Sequence, residues 1–258
     1  MGSLPCLPYE VNTMEYGKML DDAFSYAREG VLGNGSRWVK LIIGVIILTI
    51  PMMGYVMRIY RGAVPAPEAD NWGTLFIDGL KLIVIGLLYS IPIIILEIAM
   101  YYSQIAAVLS GNLAAAAPAA RDGLGQNPVL LALMFIVEII IGLLLPVAMI
   151  RFARMNRFRE AFNFGAVIGY IGKIGWLRYI LALIIVALVI GIPVFLVFFA
   201  IIIAGIALGF AGGAFILVLL LMLIVAPPIE VFQARYMTRV YDSAAPVEPV
   251  PAEPVAAV

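Results

Sequence analysis

Five long apolar runs, separated by short polar stretches, constrain the fold of this chain more than any other feature of its sequence. Each approaches or exceeds the roughly 20 residues that a helix needs to cross the hydrocarbon core of a bilayer. Within lipid only helices and closed barrels satisfy their backbone hydrogen bonds, and none of the runs alternates as barrel strands do. We therefore predict an all-α integral membrane protein. The runs cover residues 39–56, 80–102, 129–150, 179–204 and 214–232.

The composition agrees with this class of protein and makes several kinds of chemistry improbable. Hydrophobic residues make up 64% of the chain and charged residues 12%, whereas soluble domains carry about 25% charged residues. With one cysteine, Cys6, and no histidine, the chain cannot form an internal disulfide and lacks the ligands of most zinc and haem sites. Its formal net charge of zero gives no indication of nucleic acid. We expect no cofactor, no metal and no nucleic-acid partner.

A polar-aromatic phrase occurs twice, each time at the same distance before a tryptophan. The first copy, Asp-Asp-Ala-Phe-Ser-Tyr at 21–26, has its alanine fifteen residues before Trp38. The second, Arg-Glu-Ala-Phe-Asn-Phe at 159–164, has its alanine fifteen residues before Trp176. The equal spacing indicates a weak internal parallel repeat.

Each copy has the composition of an amphipathic segment at the membrane surface. Its aromatic rings can lie among lipid headgroups while the charged neighbours stay in water, and the tryptophan then marks where the chain enters the bilayer. We therefore predict repeat-like modules at 21–60 and 159–200, each entering the membrane from the cytoplasm. The alternative is that aromatic and acidic residues precede many membrane helices, but that alternative does not account for the equal spacing.

The repeat also constrains how often the chain crosses the membrane. If both tryptophans enter from one face, an even number of crossings separates them, yet three apolar runs lie between them. The run at 39–56 is the shortest, contains Pro51 and Gly54, and continues directly into Arg58. Because proline removes a backbone donor and kinks a helix, we predict that this run is re-entrant or kinked. Four full transmembrane helices then follow it.

The distribution of basic residues favours the same topology. Lys and Arg concentrate in cytoplasmic loops, and a re-entrant first run with both termini inside leaves only Arg121 outside. Five plain crossings, or two short crossings within 75–109 around Pro92, leave more basic residues outside. We therefore predict a multi-pass protein of the cell membrane with cytoplasmic N- and C-termini.

Composition divides the chain into three regions. Residues 1–20 form an N-terminal arm, residues 21–242 form the membrane domain, and residues 243–258 form a tail rich in Pro, Ala and Glu. The tail has too few large apolar residues to fold and is predicted to be disordered. Within the membrane domain we expect a Pro-rich cytoplasmic loop at 61–74 and a long external loop at 110–128.

Two glutamates within apolar runs are the most informative polar residues. An ionisable side chain inside a span is costly and is by default a candidate functional site. Glu97 and Glu138 lie at similar distances from the external ends of consecutive spans, and Ser90, Tyr101 and Gln104 share a helical face with Glu97. Because burial disfavours a bare carboxylate, the group can serve as a proton or cation site in a transport path. Alternatively, each carboxyl is protonated and holds neighbouring helices together.

Four arginines interleaved with phenylalanines follow the third apolar run. The positions of Arg151, Arg154, Arg157 and Arg159 suit the cytoplasmic headgroup layer, where each basic residue near an anionic surface contributes about 1 kcal/mol. Specific capture of lipid headgroups and ordinary topology anchoring both account for the run. The four arginines are therefore candidate lipid-headgroup contacts, and membrane lipids are the expected partners.

The sequence lacks a Walker loop, a nucleophile elbow and a metalloprotease motif. We therefore predict a non-enzymatic membrane protein that is either transport-related or lipid-interacting. The alternatives are a membrane scaffold with no solute path and a membrane-embedded lipid-modifying enzyme. Such an enzyme would need Arg58, Asp78, Lys81 and Glu230 to converge at the cytoplasmic mouth. The sequence leaves protein partners open, including a second copy of the chain.

Four motifs taken together resemble a known family. They are Gly-Tyr-Val-Met-Arg at 54–58, Pro-Glu-Ala-Asp-Asn-Trp at 67–72, Leu-Leu-Tyr-Ser-Ile-Pro at 87–92 and Phe-Arg-Glu-Ala-Phe-Asn-Phe at 158–164. Over most of residues 20–240 the chain is similar to an uncharacterised, mainly archaeal family of multi-pass membrane proteins, domain of unknown function 4013. The resemblance implies a helical protein of the cell membrane. It supplies no activity, ligand or catalytic residue.

Overall fold

The computed structural model describes residues 15–111 and 128–244, and every regular element within them is a helix. This confirms the all-α prediction for that part of the chain. Most of the N-terminal arm, the external loop and the C-terminal tail lies outside the described residues. In chain order the elements are α1 (Tyr16–Ala27), a π-helical turn (Arg28–Leu32), α2 (Gly35–Ile46), α3 (Ile50–Tyr60), α4 (Trp72–Met100), α5 (Tyr102–Leu109), α6 (Pro128–Met155), α7 (Phe158–Ala161), α8 (Phe164–Ile174), α9 (Trp176–Ala207) and α10 (Ala211–Asp242).

Among the described residues, four helices are long and apolar enough to cross a membrane: α4, α6, α9 and α10. They correspond to the four predicted spans. Each is longer than its apolar run, because neighbouring polar residues continue the helical hydrogen bonding. Each also carries an internal proline, which membrane helices tolerate when other groups satisfy the freed carbonyl. The chain is a multi-pass, helical membrane protein.

The first apolar run, 39–56, is divided between α2 and α3. Leu48 and Thr49 have φ angles of 55° and 63°, in the left-handed region that ends a helix. Pro51 then occupies the first turn of α3, where its missing N–H has no helical partner to lose. With 12 and 11 residues, α2 and α3 are each shorter than a membrane span.

The two short helices form a hairpin, because the start of α2 and the end of α3 meet at one residue. The carboxylate of Glu68 accepts a hydrogen bond from Arg37 at the start of α2. The carbonyl of the same residue accepts one at 2.7 Å from Arg58 at the end of α3. The chain therefore returns along α3 to the end of the molecule from which α2 departs.

Two glycines allow α3 to pack closely against the first half of α4. A Cβ atom at Gly54 would lie 1.9 Å from the carbonyl oxygen of Leu75. A Cβ atom at Gly79 would lie 1.8 Å from the carbonyl oxygen of Ile50. Small residues let helix backbones approach in this way. Both positions therefore require glycine for the observed packing.

The buried core lies at one end of the bundle. Its side chains come from α1, α3, the first half of α4, the ends of α6 and α10, α8 and the start of α9. We call this end of the molecule the charged end, because the ion pairs described below lie there. The far halves of the four long helices expose most of their apolar side chains, which in a membrane protein face lipid.

At the opposite end, a glycine-containing turn joins α9 to α10. Gly209 has a φ of 66°, which favours glycine. A Cβ atom at Gly205 would lie 2.1 Å from the Cβ of Ala214. The two helices therefore touch directly beside their turn.

Candidate functional site

The second aspartate of the first polar-aromatic phrase, Asp22, joins α1 to the end of α10. Its carboxylate accepts hydrogen bonds from Arg235 at 2.6 and 3.2 Å and from Arg239 at 3.0 and 2.6 Å. Arg235 also lies 4.8 Å from the ring centre of Tyr26. Burial alone would raise the pKa of Asp22, but the two guanidinium groups together lower it to about 2. The carboxylate is therefore charged at neutral pH.

The second phrase is held by the same type of contact. Glu160 Oε2 accepts hydrogen bonds from Arg151 Nε at 3.0 Å and Nη2 at 2.7 Å. The alanines that follow the two acids, Ala23 and Ala161, are both fully buried. An acid–arginine contact and a buried alanine therefore occur in both copies of the phrase.

Two arginines fix the Pro-rich loop that follows α3. Arg58 Nη1 donates to the Glu68 carbonyl at 2.7 Å and to the Asp70 carboxylate at 3.0 Å. Its Nη2 donates to the Asp70 carbonyl and to the Thr74 hydroxyl, both at 3.0 Å. The hydrogen bond from Arg37 lowers the pKa of the Glu68 carboxyl. Arg58 thus connects α3, the loop and the start of α4.

The predicted run of lipid-contacting arginines divides into two pairs. The side chains of the first pair, Arg151 and Arg154, are bonded to other parts of the protein. Arg151 binds the second phrase as described. Arg154 Nε donates to the Tyr60 carbonyl at 2.7 Å, and its Nη2 donates to both oxygens of Asp242 at 2.8 and 2.9 Å. These two arginines join α6 to α7, α3 and α10.

The second pair, Arg157 and Arg159, borders an open hollow of about 840 Å³ at the charged end. Both residues are exposed, and neither side chain makes a hydrogen bond or ion pair with the part of the chain that the structure describes. The side-chain oxygen of Asn163, Oδ1, accepts a hydrogen bond from the Ala166 N–H at 3.2 Å. The remaining polar group of this lining residue is its side-chain NH₂, which is a donor. We call this feature the arginine hollow. Its lining residues are Arg157, Phe158, Arg159, Glu160, Phe162 and Asn163.

An apolar crevice of about 310 Å³ adjoins the arginine hollow between α4 and α6. Phe162 lines both spaces, so they share a wall. Apart from the tyrosine hydroxyl, the side chains around the crevice are apolar. We call it the α4–α6 crevice. It is lined by Leu88, Tyr89, Pro92, Val137, Ile140, Ile141, Leu144, Phe162 and Phe164.

Tyr89 anchors α7 over this crevice. Its hydroxyl donates to the Ala161 carbonyl at 2.5 Å. Its ring stacks on Phe162 at a centroid distance of 5.5 Å, and Phe162 lies 5.4 Å from Phe158. Aromatic pairs at these distances add about 0.5–1.5 kcal/mol beyond their buried area. Reasoning from the sequence missed this role, although Tyr89 and Pro92 both stand in one of the family motifs.

Neither glutamate of the predicted carboxyl site lines the hollow or the crevice. Glu97 and Glu138 are both exposed on the far halves of α4 and α6, and neither side chain has a hydrogen bond or ion pair with the described residues. Ser90 donates to the Gly86 carbonyl of its own helix at 2.9 Å. The other two residues predicted to share a face with Glu97 lie further along the chain. Tyr101 lies between α4 and α5, and Gln104 lies in α5 and is partly buried. A proton or cation site here stays a prediction.

An interior carboxyl lies instead on α10. Glu230 is partly buried and acts electrostatically on the hydroxyl of Tyr60, a residue of α3. The hydroxyl of Tyr179, on α9, donates to the Leu143 carbonyl at 2.8 Å. The position of Glu230 two residues after Pro228, near the end of the apolar run at 214–232, was the available signal in the sequence.

Of the four residues in the enzyme alternative, Asp78 and Lys81 contact each other, whereas Arg58 and Glu230 have other contacts. Arg58 holds the loop after α3, while Asp78 accepts hydrogen bonds from Arg61 at 2.6 Å and from Lys81 at 3.2 Å. Glu230 lies beside Tyr60. Within the described residues no three Cys, Asp or Glu side chains are grouped as metal ligands.

Comparison with curated proteins and with solved structures gives no match. Comparison with family models gives a match over residues 39–203, to the family described as "Protein of unknown function (DUF4013)". The matched region begins within α2 and ends within α9, and it includes the Arg58 loop, the α4–α6 crevice and the arginine hollow. Since it makes up more than half of the chain, the chain belongs to the DUF4013 family of proteins of unknown function.

Proposed function

We propose that this protein is a non-enzymatic, lipid-interacting membrane protein whose arginine hollow holds anionic lipid headgroups. The main observation is the division of the arginine run: Arg151 and Arg154 are bonded to other parts of the protein, whereas Arg157 and Arg159 are exposed beside an open hollow and have no bonded partner among the described residues. Guanidinium groups suit phosphate because each presents a fork of donors to its oxygens. Membrane lipids are the partners in this proposal.

The proposal places the charged end at the cytoplasmic face of the cell membrane, where basic residues concentrate. The contact of Asp22 on α1 with Arg239 near the end of α10 brings the two ends of the described chain together, which supports cytoplasmic N- and C-termini. The return of α3 to the end where α2 starts supports a re-entrant first apolar run. Four crossings then follow.

The proposal keeps the two modules, 21–60 and 159–200, as entry modules related by duplication, each of which begins at the membrane surface. The shared acid–arginine contact and the buried alanines support the relation. In α2 the exposed residues Val39, Ile43 and Ile46 recur at helical spacing, which gives the helix one apolar face. Such a helix suits the boundary between headgroups and hydrocarbon.

Transport through Glu97 and Glu138 and a purely structural scaffold remain the alternatives. The transport alternative requires water to reach both carboxyls, whereas the scaffold requires both to be sealed from water. If they form a proton or cation site, Glu97→Gln should abolish pH-dependent solute flux in vesicles and leave the folded yield unchanged. Unchanged flux in that variant would remove the transport alternative for this site.

The headgroup proposal is tested by counting the lipids retained on the full chain. The protein is exchanged into mixed phosphatidylglycerol and phosphatidylcholine vesicles, extracted gently and weighed by native mass spectrometry. Arg157→Gln combined with Arg159→Gln should reduce retained phosphatidylglycerol but not phosphatidylcholine. Arg28→Gln combined with Lys173→Gln removes the same charge from two other exposed positions and should retain the wild-type level. Equal retention by both double variants would contradict the proposal.

A further inference from the structure

We propose that the arginine hollow and the α4–α6 crevice form one site for a single anionic phospholipid, with the phosphate in the hollow and an acyl chain in the crevice. This inference rests on the proposed headgroup contact and adds the location of the chain. Its structural basis is adjacency, because Phe162 lines both spaces.

The hollow supplies the groups that an anionic headgroup needs. Arg157 and Arg159 bring two positive charges without a carboxylate partner among the described residues. Glu160 also lines the hollow, but Arg151 compensates its charge through two hydrogen bonds to Oε2. The amide N–H groups of Asn163 add neutral donors. The net character of the hollow is therefore cationic.

The crevice supplies the groups that a hydrocarbon chain needs. It lies between two membrane-spanning helices, with walls that are almost wholly apolar, and its one hydroxyl, that of Tyr89, is already bonded to Ala161. Leu88 and Ile140 at its rim are 41% and 49% exposed, so the space opens sideways to the surface that faces lipid. Hydrocarbon is the solvent at such a surface.

The position of a cationic hollow beside an apolar crevice favours a lipid over other anions. A free phosphate or a nucleotide would use the hollow but would gain nothing from an apolar space within the membrane layer. A phospholipid has a charged group and a hydrocarbon chain joined at the boundary where Phe162 lies. An annular lipid without an anionic headgroup would use the crevice but would leave the arginines without a partner.

The experiment uses the full chain in vesicles that contain phosphatidylglycerol with a photoactivatable diazirine in one acyl chain. After illumination, cross-linked peptides are mapped by mass spectrometry. The wild-type protein should cross-link at the residues of α4 and α6 that line the crevice. The variant with Arg157→Gln and Arg159→Gln should lose these cross-links about 30-fold, the factor expected from two basic contacts of about 1 kcal/mol each.

A second part of the experiment uses a variant that fills the crevice and leaves the hollow intact. Ile140→Trp should reduce the crevice cross-links and phosphatidylglycerol retention, whereas Ile139→Trp, at an exposed neighbouring position outside the crevice lining, should leave both unchanged. If the arginine variant loses the lipid but Ile140→Trp retains it with cross-links elsewhere, the headgroup proposal stands and the inference about the chain is wrong. If neither variant differs from its control, both proposals are wrong and the lipid is bulk annular lipid.

Discussion

At the scale of single residues, the function of a charge in this protein depends on its partner rather than on its type. Arg151 and Arg157 belong to one short run, yet the first holds Glu160 and the second is exposed. Asp21 and Asp22 are adjacent, yet only the second joins two helices. Asp21 therefore provides a matched control for the predictions about Asp22 below.

We predict that Asp22→Asn destabilises the protein by about 1 to 2 kcal/mol. The substitution weakens charge-assisted hydrogen bonds to Arg235 and Arg239 and leaves the largely buried Arg235 without a counter-charge. About a quarter of the Asp22 side chain, 26%, is exposed, and solvent screening reduces the effect. Thermal unfolding in detergent measures it, with Asp21→Asn as the control. A shift no larger than that of the control would show that the contact contributes nothing to stability.

We also predict that the protein loses stability in acid, because the Asp22 carboxylate must be protonated there. The ordinary pKa of an aspartate is 3.8, and that of Asp22 in the folded protein is about 2. A lowered folded pKa stabilises the protein fully above the ordinary value, and this contribution disappears as the pH falls through the folded value. The melting temperature should therefore fall between about pH 4 and pH 2. Asp22→Asn should remove that part of the decline, and an identical pH profile for the variant would contradict the assignment.

At the scale of elements, two backbone contacts determine how α3 packs on α4. Both contacts join a glycine on one helix to a carbonyl on the other, at Gly54 with Leu75 and at Gly79 with Ile50. The α2–α3 hairpin is thereby fixed against the first long helix. The loop between α3 and α4 is closed by Arg58.

We predict that Gly79→Ala costs about 3 kcal/mol or more, because the added methyl overlaps backbone that cannot rotate away. Gly73→Ala is the matched control, since a Cβ atom there meets nothing within 4 Å on the same helix. The control should be neutral or stabilising by up to about 1 kcal/mol. Thermal unfolding and the yield of folded protein measure both variants. Similar behaviour of the two would show that the helices do not pack as described.

We predict that Arg58→Lys loosens the loop at 62–71 without unfolding the membrane helices. Lysine cannot reproduce the planar fork that bonds Glu68, Asp70 and Thr74 together. Hydrogen exchange followed by mass spectrometry should show faster exchange in the loop peptides only. Arg28→Lys, at an exposed arginine, is the control. Unchanged exchange in the loop would mean that other contacts close it.

At the scale of the whole molecule, the sequence predicted what depends on local composition. The apolar runs identified the four long helices, because about 20 apolar residues in succession are themselves the signal for a span. The division of the first run was anticipated from Pro51 and Gly54. The break occurs slightly earlier, at Leu48 and Thr49, residue types that rarely adopt a positive φ and so give no warning.

The sequence could not predict which charges meet across the bundle. Asp22 and Arg239 are 217 positions apart, and nothing local to either residue indicates the other. For the same reason the arginine run was predicted as one group of lipid contacts, although only Arg157 and Arg159 border the hollow. The crevice depends on how α4 packs against α6, which apolar composition alone leaves open.

The central claim for the whole molecule is that the chain crosses the membrane four times after a hairpin that does not cross it. With Cys6 replaced by serine, single cysteines are placed at Ser36 in the first turn of α2, at Ala63 after α3 and at Ser110 after α5. A membrane-impermeant maleimide is then applied to intact and to opened cells. Positions 36 and 63 should react only in opened cells, whereas position 110 should react in intact cells. Reaction of positions 36 and 63 from opposite sides would show that the first apolar run crosses the membrane and would contradict the account.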